Sequence, residues 1–200
     1  MEINLLILIK LSRTIKYILF CRYRLLLLVY FSLKKEIYIV VDYDFSSLND
    51  KEFENFSIEL ISKFKNKRFE RFKPGKDGGI DGRYYNNGNS EIIQCKHYLK
   101  TGWSGLISSL KKENDNGINE IAKVHILSPD KYIFITSLPL SPDNKKEIKT
   151  LFNPFIKADD DIYGQEDLNV LLSNYPEIEK RYYKLWLTSS IVLEKLINSS

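Results

Sequence analysis

The chain has 200 residues, of which 44% are apolar and 28% charged, with nine glycines, six prolines and two cysteines. This composition excludes collagen, low-complexity disorder and a disulfide scaffold, and it fits one globular domain with an appendage. Two cysteines favour a reducing setting, and we expect a cytoplasmic protein. The net charge of +4 is local, because residues 1–42 hold seven basic and three acidic side chains and the remainder is balanced. Global charge therefore gives no argument for nucleic acid, and local patches must supply one.

The first 41 residues are a basic, apolar leader that differs in kind from the rest of the chain. Its apolar runs are all shorter than the ~18–20 residues of a membrane span, and no small-residue cleavage site follows them. We expect an extension without a selected function, and membrane-surface contact is the lesser alternative. The predicted boundaries are 1–41 for the leader, 42–175 for the main domain and 176–200 for a helical C-terminal extension.

Residues 49–66 have the pattern of the first helix. Asn49 and Glu52 have the spacing of a capping box. On a helical wheel Glu52 and Glu54 lie at about 100° to either side of Phe53, so either acid can reach the rim of the core. The apolar stripe that must pack on a sheet consists of Phe53, Phe56, Leu60, Ile61 and Phe64.

A basic stretch follows at Lys63–Lys76, where seven basic side chains accompany Glu70 as the single acid. Such a cluster can contact DNA phosphates, and its alternative is a solvated helix end with an edge strand. The side chains expected to bind DNA are Lys67, Arg68, Arg71, Lys73 and Lys76.

The next segment predicts a β-hairpin. Asn87-Gly88 stands between two alternating apolar runs, and a loop of two or four residues gives the same pairing register. In that register Asp81 lies opposite Gln94, and Lys96 projects from the same face because strand side chains alternate. An acid, an amide and a lysine thus converge, as a Mg²⁺-dependent phosphodiesterase requires. The alternative is a surface hairpin with a cross-strand Asp81–Lys96 ion pair.

Helices and strands alternate in the remainder, which favours an α/β or α+β layer fold. No Gly-x-x-x-x-Gly-Lys-Ser/Thr loop occurs, so no nucleotide cofactor is expected in this chain. We expect His97 to be a structural residue on the face opposite Lys96, and Cys95 to be a small core residue. Helices are predicted over Trp103–Lys112, Ile118–Ile126, Pro142–Phe152, Gln165–Ser173 and Pro176–Asn198, and strands over Tyr132–Thr136 and Asp161–Tyr163.

The string Gly75-Lys76-Asp77-Gly78-Gly79-Ile80-Asp81, followed by Gln94-Cys95-Lys96, resembles the Mrr-like branch of the restriction-endonuclease-like (PD-(D/E)xK) nuclease superfamily. The resemblance covers about residues 45–136 and implies a mixed central sheet flanked by helices. Phe53-Glu54 looks like the family's Phe-Glu pair, which selects Glu54 over Glu52. The resemblance implies catalytic roles for Asp81, Gln94, Lys96 and Glu54, metal binding by Asp81, Gln94 and Glu54, and a supporting role for Asp77.

The function that this resemblance implies is a DNA endonuclease of defence type that uses Mg²⁺, with Mn²⁺ as a substitute. The alternatives are a catalytically silent nuclease-fold module that binds DNA or a partner protein, and a membrane-tethered adaptor. Tyr163–Leu168 and Lys184–Ser189 look like the end of nuclease domains fused to STAND-type antiphage NTPases. We therefore expect the C-terminal helix to serve a homo-oligomer or an NTPase partner.

Overall fold

A computed structural model gives the structure of the protein and describes residues 42–71, 80–86, 88–98 and 101–187. The predicted leader, most of the glycine-rich string with Asp77, and residues 188–200 lie outside this part. Within it, seven α-helices flank a five-stranded sheet. The helices are α1 (Asp50–Lys65), α2 (Gly102–Lys111), α3 (Glu120–Leu127), α4 (Pro142–Leu151), α5 (Gln165–Ser173), α6 (Pro176–Glu179) and α7 (Tyr183–Leu187). The strands are β1 (Glu70–Arg71), β2 (Gly82–Asn86), β3 (Asn89–Lys96), β4 (Lys131–Thr136) and β5 (Ile162–Tyr163).

Helix α1 begins with the predicted capping box. The Asn49 side chain accepts a hydrogen bond from the Glu52 N–H, and the Glu52 carboxylate accepts one from the Asn49 N–H, both at 2.9 Å. The helix ends at Asn66, whose φ of 50° is left-handed. A short asparagine tolerates that conformation and stops the helix there. The predicted helix and its cap are confirmed, and Phe53, Phe56, Leu60 and Ile61 are buried as predicted. Phe64 is not, because it lies in the last turn of the helix and is 46% exposed.

The sheet is mixed, as the family resemblance implies. Its strands lie in the order β1-β2-β3-β4-β5, with antiparallel pairing from β1 to β3 and parallel pairing from β3 to β5. In the hairpin Asn86 pairs with Asn89 and Gly82 with Ile93. This register is the predicted one, and it places Asp81, one residue before β2, level with Gln94.

Strand β3 separates two apolar cores, because its neighbouring side chains point to opposite faces. Ile93 belongs to the core formed with α1, α5, α6 and α7. Ile92 belongs to the core formed with α2, α3 and α4. Gln94 and Lys96 follow Ile92 at intervals of two, so their side chains point to the α2–α3 side of the sheet.

The C-terminal extension packs on α1 as two short helices. The single helix predicted over Pro176–Asn198 is wrong between α6 and α7, where the chain turns so that Tyr182 can pack. The Tyr182 ring contacts Phe56 edge-on at 5.2 Å between centroids, and its hydroxyl donates to Glu59 at 2.9 Å. The Lys184 Nζ donates to both carboxylate oxygens of Glu52, at 2.6 and 2.8 Å. These contacts follow one stripe of α1 and tie the extension to the domain.

None of the helices in the described ranges has the length and apolar character needed to cross a membrane.

Candidate active site

Asp81 lies at the start of β2, where the hairpin register brings it to β3. Its Oδ2 accepts hydrogen bonds from the Gln94 Nε2 at 2.8 Å and from the Cys95 backbone N–H at 2.6 Å. Gln94 is almost fully buried, with 6% of its surface exposed. Because its Nε2 is directed at Asp81, its Oε1 is the atom left for a cation or substrate. The predicted convergence of the acid and the amide is thus present.

The carboxylate of Asp81 has an unusual pKa. Its pKa is raised to about 6, chiefly by burial and also by the nearby carboxylates of Glu54 and Glu120, while the Cys95 N–H and the Lys96 ammonium act to lower it. Asp81 is thus a partly buried acid surrounded by more negative than positive charge. Such perturbed acids cluster at functional sites.

Lys96 ends β3 and faces α3. Its Nζ lies 3.5 Å from Oε2 of Glu120, and the two side chains are 21% and 23% exposed. The sequence alternative of a direct Asp81–Lys96 ion pair is therefore replaced by a pair with Glu120, a residue that the sequence analysis missed. The signal that was available is Asn119, whose side chain caps α3 by accepting from the Ala122 N–H at 2.8 Å and so fixes where Glu120 stands.

Glu54 reaches the site from α1, on the other side of the sheet. It forms an ion pair with Lys51, one helical turn away, and its own side chain is 17% exposed. Its charge acts on the pKa of Asp81. Glu52, the other acid considered from the sequence, is used by the helix cap and by Lys184. The choice of Glu54 as a site residue stays a prediction.

His97 and Cys95 point away from Lys96, toward the core beneath α1. The His97 ring stacks on Phe53 with centroids 4.6 Å apart, and its Nε2 lies 3.0 Å from the Leu48 carbonyl oxygen. Cys95 is partly buried against the same core. Both residues make the structural contacts that the sequence predicted.

The basic stretch is divided by the fold. Arg71 pairs with Gly82, next to Asp81, and its Nη2 donates to the Asn55 carbonyl at 3.3 Å. Lys67 instead pairs with Glu91, toward the far end of the hairpin. Arg68 is exposed. The other two predicted DNA contacts, Lys73 and Lys76, lie outside the described residues.

An open groove of about 1,070 Å³ runs along these residues. Its floor includes Phe69 and Ile178, and its rim carries both charges. Arg181, which the sequence analysis did not select, lines it and forms an ion pair with Glu59. The basic side chains of the rim are Lys63, Lys67, Arg68, Arg71 and Arg181.

Comparison with known proteins assigns the chain to a family. The family model Mrr_cat, described as "Restriction endonuclease", matches residues 45–156. The chain belongs to this Mrr restriction endonuclease family. A relative from Sinorhizobium fredii (strain NBRC 101917 / NGR234), named "Uncharacterized protein y4cD", is 40% identical over 158 residues, which are 79% of this chain and 24% of the relative. The chain thus spans about a quarter of the length of that relative. No solved structure matches this chain.

The match identifies residues 45–156 as a domain of the restriction-endonuclease type, and domains of this kind generally use divalent metals. The site fits such an ion in chemistry and in charge. Asp81 and Glu54 offer carboxylate oxygens and Gln94 offers an amide oxygen, which are hard ligands. A bound cation would also offset the burial and the nearby carboxylates that raise the pKa of Asp81.

The site has no cage of metal ligands. Across the residues that the structure describes, no three His, Cys, Asp or Glu side chains are grouped so that they could hold a metal ion. Mg²⁺ is commonly held by one or two carboxylates, with water and substrate phosphate completing its octahedron. The donors of this Mrr site suit that mode of binding.

Proposed function

We propose that this chain is a Mg²⁺-dependent DNA endonuclease that hydrolyses phosphodiester bonds in defence against foreign DNA. The observation that carries the proposal is that Gln94 and Lys96 act on Asp81, an acid whose pKa is raised to about 6. A surface hairpin without a function has no physical need to hold a carboxylate in such a place. The family supplies the class of substrate, and these residues supply the chemistry.

In this proposal Asp81, the Gln94 Oε1 and Glu54 hold the metal. Mg²⁺ held there, or Mn²⁺ as a substitute, would supply polarisation of the scissile phosphate and a lowered pKa of a water molecule. Asp81 must be ionised to serve, which its pKa allows at neutral pH. Arg71 is proposed to contact a phosphate next to the scissile one, with exposed Arg68 beside it, and the pairing of Arg71 with Gly82, next to Asp81, supports this.

Lys96 acts on the charge that develops during the reaction. Its ammonium carries three N–H donors and lies on the same face as Gln94. From there it donates hydrogen bonds to a phosphate oxygen or to the attacking water and stabilises the added negative charge. Asp77, outside the described residues, is proposed to support the loop rather than to bind the metal.

Plasmid cleavage tests the proposal. The full chain should cut supercoiled plasmid with Mg²⁺ or Mn²⁺ and not with EDTA. Asp81→Ala and Lys96→Ala should each lose roughly 10²–10³ in rate and retain DNA binding in a mobility-shift assay. A surface ion pair is worth at most about 1 kcal/mol, so a structural role would not give such a loss. Asp77→Asn should be milder than Asp81→Asn.

A matched control is Asp130→Asn. Asp130 is exposed and, like Asp81, accepts a backbone hydrogen bond, from the Ser90 N–H at 2.7 Å. It lies at the other end of β3, so cleavage by this variant should equal that of the wild type. Cleavage that persists in EDTA, or Asp81→Ala that cuts at the wild-type rate, would reject the assignment and favour a silent module that binds DNA or a partner.

We further propose a cytoplasmic protein whose C-terminal residues join a second copy or an NTPase partner. The support is the apolar sequence that follows α7, with Ile191, Val192, Leu193, Leu196 and Ile197 outside the described residues. Sedimentation at micromolar concentration should show self-association that weakens with Leu193→Asp plus Leu196→Asp. A monomer that also fails to bind an NTPase would contradict this part of the proposal.

A further inference from the structure

Among the described residues whose charge acts on Asp81, Glu120 has no role in either the family resemblance or the proposed mechanism. It stands at the first position of α3, directly after the Asn119 cap. Its Oε1 accepts from the Lys123 Nζ at 3.2 Å, one helical turn along. One oxygen of the carboxylate is therefore bound by a lysine of the same helix, and the other oxygen, Oε2, is not used in that contact.

That other oxygen faces the proposed catalytic lysine. Glu120 Oε2 is buried and lies 3.5 Å from the Lys96 Nζ, and no hydrogen-bond partner for it occurs among the described residues. In the Lys184–Glu52 pair, by contrast, the ammonium donates hydrogen bonds to both carboxylate oxygens, at 2.6 and 2.8 Å. By comparison, Glu120 attracts the ammonium of Lys96 without using its N–H donors.

Lys96 acts on Asp81 as well as on Glu120. Both Lys96 and Glu120 act on the pKa of Asp81, in opposite directions, so the three charges lie within range of one another. A lysine side chain has four flexible bonds and loses rotamer entropy when it is fixed in one position. A rigid carboxylate on one side restricts that freedom and leaves the donors for substrate.

We propose that Glu120 is a positioning residue for the nuclease reaction, which holds the Lys96 ammonium at the Asp81 site while leaving its N–H donors free for water and phosphate. The inference rests on the proposed function, since it assigns Glu120 a role through Lys96. It differs from a role as a metal ligand, in which Glu120 would act on the cation directly.

The test measures kcat, KM for plasmid and the Mg²⁺ concentration for half-maximal cleavage with the full chain. Glu120→Gln keeps the shape of the side chain and removes its charge. We expect kcat to fall by roughly 10–100-fold, as for other residues that orient a catalytic group, with KM and the Mg²⁺ midpoint changed by less than about threefold. Glu120→Asp keeps the charge on a shorter arm and should lose less.

The matched control is Glu147→Gln. Glu147 lies on α4 and forms an exposed ion pair with Lys111 at 4.0 Å, so its loss removes a similar charge far from Asp81. This variant should cleave as the wild type does. Thermal unfolding of each variant shows whether a lower kcat reflects lost folding, and a Glu120→Asp protein that is folded but as inactive as Glu120→Gln would contradict positioning by charge.

The outcomes separate this inference from the proposed function. If Asp81→Ala is inactive while Glu120→Gln keeps the wild-type kcat, the nuclease assignment stands and the role of Glu120 is refuted. A raised Mg²⁺ midpoint with kcat recovered at high Mg²⁺ would instead make Glu120 a metal ligand and overturn positioning. A wild-type chain that cuts no DNA with any metal would overturn both.

Discussion

Replacing Asp81 by asparagine should stabilise the metal-free protein at alkaline pH while it removes cleavage. Burial and the neighbouring carboxylates raise the pKa of Asp81 to about 6, whereas an aspartate in an unfolded chain ionises near pH 3.9. At pH 8 the side chain is charged in both states, and the folded state bears the full cost of that charge. The shift of about two pKa units corresponds to roughly 3 kcal/mol.

The sign of the pH dependence follows from the same shift. Below about pH 3.9 Asp81 is neutral in both states, so the folded protein bears no such cost. As the pH rises through about 6 the folded state loses that stability. The Asp81→Asn variant is neutral throughout, and its amide oxygen can still accept the Cys95 N–H. Its free energy of unfolding should exceed the wild-type value by up to about 3 kcal/mol at pH 8, with the difference closing toward pH 4.

Thermal unfolding in EDTA, followed by circular dichroism at several pH values, measures this difference. For a chain of this size 1 kcal/mol shifts Tm by about 2–4 °C, so the gain at pH 8 should reach up to about 10 °C. Asp130→Asn is again the control, because its exposed carboxylate should give no gain. Added Mg²⁺ should raise the wild-type Tm and leave that of Asp81→Asn unchanged.

Two results would refute the reasoning. One is an Asp81→Asn protein that unfolds below the wild type at pH 8, which would mean that the hydrogen bonds of the carboxylate outweigh its burial. The other is a difference in Tm that stays constant between pH 5 and pH 8, which would mean that Asp81 does not titrate in that range.

Three further predictions concern Gln94, the C-terminal helices and the leader. Gln94→Glu should lower the Mg²⁺ concentration needed for half-maximal cleavage, because a carboxylate binds the cation more strongly than an amide oxygen; a metal titration with an unchanged or higher midpoint would contradict this. Leu185→Ala should destabilise the domain by roughly 2–5 kcal/mol in urea unfolding, since Leu185 is fully buried. Exposed Tyr183→Ala, in the same helix, should cost less than about 0.5 kcal/mol, and equal losses would show that α7 is not packed as described. Deleting residues 1–41 should preserve folding and plasmid cleavage, and a shortened chain that begins at residue 42 and does not fold would disprove this.

The hairpin was predictable because its information is local. The Asn-Gly turn set the register, and the alternation along β3 set the face, so Asp81, Gln94 and Lys96 could be grouped without a structure. The same holds for α1, whose capping box lies within four residues. The family resemblance then selected Glu54, which no local pattern distinguished from Glu52.

Tertiary contacts account for what the sequence did not predict. Glu120 joins the site because α3 packs beside β3, and nothing within its own segment indicates Lys96 as its partner. The turn at residues 180–182 likewise depends on Phe56 and Glu59, more than 100 residues earlier. A helical pattern alone continued the helix through that turn.

The two cores on either side of β3 affect how the pairing register of this strand is specified. Ile92 and Ile93 are neighbours of the same type, and each is buried in a different core. If β3 slipped by one residue, one isoleucine would take the place of the other, so these side chains alone do not distinguish the two pairing registers. The slip would, however, turn Lys96 into the aromatic core beneath α1, where an unpaired ammonium is costly. The polar residues proposed to act on DNA therefore also specify which way the central strand faces, and a variant that removes both Gln94 and Lys96 would lose a constraint on the fold together with the chemistry.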